Sequence, residues 1–139
     1  MTDHIDLELE KEPAAFDRIF PAVDELIEQH RLPTKPAYVL RLAVEELFLN
    51  LVKYSKNDQR SNLAWLSIGL QGNEVVMTLE DEGPPFDPTA DAPPPNILGS
   101  LPEARTGGMG LHLVRQLAAA VSYERRSLRN RLEVRIRRD

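Results

Sequence analysis

The stretch LAWLSIGLQGNEVVMTLEDEG, residues 63–83, decides the fold. Two strands, of about residues 63–70 and 74–80, flank Gln71-Gly72-Asn73, which reads as a tight hairpin turn. In the second strand Val75, Met77 and Leu79 recur at every other position, so one face is buried and the alternation leads into Asp81-Glu-Gly83. A hairpin at the centre of the chain calls for an antiparallel sheet, not for alternating βαβ units.

Upstream, Ile5, Leu7 and Leu9 alternate with Asp6, Glu8 and Glu10 as a short half-buried strand. Pro13 suits an early helical position, and Phe16, Ile19, Phe20, Val23, Leu26 and Ile27 follow at helical spacing. Pro21 inside this run predicts a kink or a restart. A second helix is predicted over about residues 35–55, with Val39, Leu40, Ala43, Val44, Leu47, Leu51 and Tyr54 as its buried stripe and a polar exit loop at 56–62.

Downstream, residues 84–102 hold seven of the eleven prolines and no periodicity. A loop of about 20 residues is long for a small domain and points to a functional or mobile segment. A helix is expected from Gly108 to about Ala120, then strands near 121–127 and 131–137 joined by Leu128-Arg-Asn130, where Asn tolerates a left-handed turn.

The order β-α-α-β-β-loop-α-β-β describes an α+β two-layer sandwich. Its mixed, mostly antiparallel sheet is covered on one face by helices, in a single domain over 1–139. A Rossmann fold is excluded because one helix alone follows the glycines Gly107, Gly108 and Gly110, and a P-loop lacks its Gly-x-x-x-x-Gly-Lys-Ser/Thr.

Composition agrees with a globular chain: 139 residues, 42% hydrophobic and 28% charged. No apolar run approaches the roughly 20 residues of a membrane span, and the acidic start lacks a signal-peptide layout. The absence of cysteine excludes disulfides and thiolate metal sites, and a cytoplasmic location is expected. The net charge of −5 argues against nucleic acid as the main ligand. Seven arginines between residues 125 and 138 read as the solvated outer face of a hairpin, or else as a contact for nucleic acid or an acidic partner.

Glu46 and Asn50 lie four residues apart in a helix and so emerge on one face, which reads either as a solvated polar face or as a functional pair. A carboxamide oxygen is a suitable neutral ligand for Mg²⁺, which takes few protein oxygens beside phosphate. A carboxylate one turn away can deprotonate an attacking hydroxyl. Lys53, one turn beyond Asn50, can reach phosphates, whereas Glu45 points aside. Asp81 can accept from the amino group of adenine, with Gly83 leaving room for the ring; it can equally initiate a turn. Gly107, Gly108 and Gly110 read as a flexible hinge before a helix or as a phosphate cradle, and close phosphate approach better explains the entropy that three glycines cost there. His112 reads as a packed or surface residue rather than a nucleophile.

These residues together resemble the ATP-binding superfamily of gyrase, heat-shock chaperone ATPases, histidine kinases and mismatch-repair ATPases. There a helix carries Glu and Asn, a strand end carries Asp-x-Gly, a lid follows, and a second glycine box opens a helix. The counterparts are Glu46 and Asn50, Asp81 and Gly83, a lid at about 84–106, and Gly108-Met-Gly110-Leu111. Within it the chain is most similar to the stand-alone anti-sigma-factor serine/threonine kinases, through Asp81-x-Gly-x-x-Phe86-Asp87 and Gly-Met-Gly-Leu-His-Leu-Val.

The resemblance implies a histidine kinase-like ATPase fold, ATP and Mg²⁺ as cofactors, Glu46 as catalytic base, Asn50 as metal ligand and Asp81 as adenine reader. Lys53, Gly83, Thr106, Gly107, Gly108, Met109, Gly110 and Leu111 would complete the nucleotide site. It implies a STAS-domain anti-anti-sigma protein as phospho-acceptor, a sigma factor as a further partner, and a homodimer, with neither nucleic acid nor membrane. The alternative is a non-catalytic anti-sigma-type module that senses ATP or ADP. Where many members have Gly-Thr in the last hairpin this chain has Asn130-Arg-Leu, and Pro84-Pro85 implies a stiff lid root.

Overall fold

The computed structural model describes residues 4–54, 62–85, 87 and 102–139, with the backbone alone at 54 and 102–109. Five strands, β1 (His4–Glu10), β2 (Leu63–Gln71), β3 (Glu74–Asp81), β4 (Ala120–Arg126) and β5 (Arg129–Arg137), form one sheet in the order β1-β2-β3-β5-β4. The sheet expected as mixed and mostly antiparallel is antiparallel at every described pair. The helices are α1 (Phe16–Gln29), entered through a 3-10 turn at Pro13–Ala15, α2 (Thr34–Tyr54) and α3 (Pro102–Leu117).

Alternation assigns the two faces of the sheet. Leu66, Leu79 and Leu132 stand in register across β2, β3 and β5, as do Ile68, Met77 and Val134, and all six are buried. Ile5 and Leu9 extend this face onto β1. Against it α1 buries Ile19, Val23 and Leu26, and α2 buries Val39, Leu40, Ala43, Val44, Leu47 and Phe48. Phe16 joins the two helices, edge-on to Phe48 with ring centres 5.3 Å apart.

Local expectations are refined at three places. Of the kink or restart expected at Pro21, the restart is absent, because α1 runs through it. Pro21 lies on the exposed side, so its ring displaces nothing in the core. The tight turn expected at Gln71-Gly72-Asn73 is present and narrows to Gly72-Asn73, with Gly72 at φ 60°, because Gln71 pairs with Glu74. The β4–β5 turn falls on Ser127 and Leu128, at φ 53° and 67°, rather than on 128–130. Asn130 is instead paired within β5, and its inward register explains the shift.

The opposite face carries ionic pairs, as the arginine-rich tail predicts, except that Arg125 stands in register with Asn130 on the inner face. Arg135 reaches Glu74 at 2.9 Å and Glu133 at 3.0 Å, and Arg129 reaches Glu80 at 3.5 Å and lies 3.8 Å over the Trp65 ring. No described helix is long and apolar enough to cross a membrane.

Candidate functional site

At one end of the inner sheet face the apolar rows give way to a polar one. Leu9, Ala64, Asp81, Asn130 and Arg125 stand in register from β1 to β4. Asp81 takes the position that Val75, Met77 and Leu79 occupy earlier in β3, and only 1% of it is exposed. A carboxylate so buried has to be paired. Its Oδ2 accepts from Gly83 N–H at 3.0 Å, closing a turn over Asp81-Glu-Gly83, and lies 3.4 Å from Lys11 Nζ. Its Oδ1 accepts from Asn130 Nδ2 at 3.0 Å.

The orientation of the Asn130 amide follows from its neighbours. Tyr123 OH at 2.5 Å and Arg125 Nη1 at 3.2 Å donate to Oδ1, while Nδ2 faces Asp81 Oδ1 and Pro84 O, both at 3.0 Å. The opposite assignment would set donor against donor. Arg125 Nη1 also donates to Gly83 O at 2.7 Å, so the turn after β3 is held from both ends.

Above β3 and β5 lies α2, which presents Glu46 and Asn50 on one face as their spacing predicts. Asn50 is 3% exposed; its Nδ2 and Glu46 Oε2 are buried without a hydrogen-bond partner among the described residues. Burial raises the Glu46 carboxyl above its ordinary range, repulsion from Glu45 adds to this, and Lys53 offsets part of it. Lys53 itself is exposed near the end of α2.

The glycine segment departs from expectation. The helix predicted from Gly108 begins at Pro102, so Gly107, Gly108 and Gly110 lie inside α3. Pro suits a first helical position, which extends the helix backwards. Peptide N–H groups beyond the first turn then bond to carbonyls one turn back. At Gly110 the missing side chain has a packing reason: a Cβ there would lie 1.9 Å from Glu46 Cδ. Leu111 is buried, His112 half-buried. The side chains of Thr106 and Met109, and most of the lid expected at 84–106, lie outside the described residues.

The structure therefore brings Gly83 to Asp81 and Gly110 to Glu46, with Asn50 one turn beyond Glu46 on α2. Lys11, Tyr123, Arg125 and Asn130 are site-forming residues that motif reading missed. The signal for two of them was parity. Lys11 continues Ile5, Leu7 and Leu9, and Asn130 precedes Leu132, Val134 and Ile136, so each is a polar residue on a core-facing position.

The family model described as the histidine kinase-like ATPase domain matches residues 9–136. The serine/threonine-protein kinase BtrW of Bordetella bronchiseptica is 33% identical over 95 residues, covering 68% of this chain and 66% of that protein. The solved RsbU and RsbW domains of a Mycobacterium tuberculosis protein share the fold with a TM-score of 0.69 at 13% identity, over 98% of this chain and 32% of theirs. The chain thus spans just under two thirds of the first relative and about a third of the second. The family match runs nearly from end to end, and on that ground the chain belongs to the histidine kinase-like ATPase domains.

Proposed function

We propose that the protein binds ATP with Mg²⁺ and transfers the γ-phosphate to a serine or threonine of a STAS-domain anti-anti-sigma partner. The observation that carries this reading is the pair of buried, unpartnered polar atoms one turn apart, Glu46 Oε2 and Asn50 Nδ2. Buried polar groups are nearly always satisfied, so two orphans on one helix face mark a place completed by a ligand. A half-turn of the Asn50 amide puts its oxygen where the unpaired nitrogen stands, which suits a neutral ligand to Mg²⁺. When bound, Mg²⁺ neutralises phosphate charge. Glu46, made more basic by burial, takes the proton of the attacking hydroxyl. Asp81 reads the adenine amino group.

Phosphate contact by residues 106–111 requires the first turns of α3 to open, since their N–H groups are spent along the helix. The kinase name of the Bordetella relative supports the reaction class. The STAS partner, the sigma factor and a homodimer rest on the motif resemblance. A second reading, nucleotide sensing without transfer, is favoured by the seating of Gly110 on Glu46, which leaves that carboxylate covered.

Glu46→Gln separates the two readings. It keeps the shape and removes the base, so nucleotide affinity by calorimetry should change little. Transfer from labelled ATP to a cognate partner should fall by roughly 10²–10⁴-fold, the range for losing a general base. Undiminished transfer by the variant, or none by the wild type, would make sensing the better reading.

A further inference from the structure

We propose that Lys11 decides which purine the site accepts, by occupying the acceptor on Asp81 that guanine would need. This rests on Asp81 as the reader of the base. An ionised carboxylate offers about four lone-pair sites, two on each oxygen. Among the described residues, Oδ2 receives Gly83 N–H at 3.0 Å and Lys11 Nζ at 3.4 Å, which uses both of its sites. Oδ1 receives Asn130 Nδ2 at 3.0 Å and keeps one site.

One acceptor suits one N–H of adenine's exocyclic amine. Guanine presents two adjacent donors, its ring N–H and its amine, and a carboxylate pairs with that fork through both oxygens. With Oδ2 filled, one of the two donors is buried without a partner, and an unpaired buried donor is what a polar pocket rejects most strongly. Lys11 is held in this role. Its side chain is wholly buried, and its backbone N–H donates to Asn62 O at 2.8 Å, pinning the end of β1. The Gly83 bond is made by main chain, so Lys11 is the Oδ2 partner that a substitution releases.

The test is competition of ATP and of GTP against a fluorescent ATP analogue on the full chain with Mg²⁺. The wild type should prefer ATP. In Lys11→Met the affinity for GTP relative to ATP should rise about tenfold or more, the weight of one hydrogen bond to a charged group. Lys11→Gln, which keeps an N–H donor toward Oδ2, should stay near the wild-type ratio. An unchanged ratio in Lys11→Met, or equal weakening of both nucleotides, overturns the proposal and leaves Lys11 a structural residue. A wild type without preference for ATP overturns the adenine reading itself, before any variant is made.

Should Lys11→Met fail to fold, the wild type still decides. ATP methylated once on its amine keeps one N–H and should bind nearly as ATP does. The dimethylated form, with none, should lose about tenfold or more. Equal losses for the two, or none for either, contradict a single remaining acceptor.

Discussion

Glu46 combines a role in the proposed chemistry with a burial penalty that pH exposes. Its carboxyl holds a proton more tightly in the folded chain than in the unfolded one, because burial and Glu45 outweigh Lys53. The resulting stability is complete below the ordinary value of 4.5 and is lost as pH rises through the higher folded value. Glu46→Gln removes this dependence. Urea unfolding should therefore show the variant gaining on the wild type between about pH 4.5 and neutrality. Parallel pH profiles would rule out burial as the cause. At the same scale Asp81 was readable from its place after an apolar alternation, whereas its partners were not. Lys11 lies seventy positions away along the chain and Asn130 forty-nine, and no local pattern joins them.

At the scale of elements the crossing of α2 and α3 is the feature the sequence misdirects. Three glycines read as a helix start, yet at Gly110 the glycine lets one helix approach the Glu46 side chain on another. Gly110→Ala should cost about 1–3 kcal/mol in urea unfolding, as overpacking of a tight contact does. Combining it with Glu46→Ala should restore most of that loss, because the group it meets is then gone. Additive losses in the double variant would mean that the added methyl meets a group other than Glu46. The β4–β5 hairpin carries the same lesson. Asn130 favours a turn by residue type, but its inward register assigns it to Asp81, and Ser127 and Leu128 take the positive φ angles.

For the molecule as a whole, the sheet separates stability from surface charge. Ile136 and Arg131 share β5 but face opposite ways, one buried among α2 and the core, the other in the outer ionic ladder. Ile136→Ala should destabilise by about 2–5 kcal/mol. Arg131→Ala should change stability by less than about 1 kcal/mol, since its pairs with Glu80 and Glu133 are solvated. Comparable losses from the two in denaturant titrations would mean that the outer ladder is structural.

Local sequence was enough for the α+β class, the central hairpin, the placing of Glu46 and Asn50 on one helix face and the family resemblance that these motifs carry. Period-2 and helical alternation, and side chains one turn apart, are local geometry that each segment carries wherever it packs. Only the tertiary structure decided that β5 lies between β3 and β4, that Lys11 and Asn130 saturate most of Asp81, and that Gly110 seats on Glu46. Those contacts join segments far apart in the chain, and strand order and helix crossing are set by how a shared apolar face is covered, which no single stretch of sequence encodes.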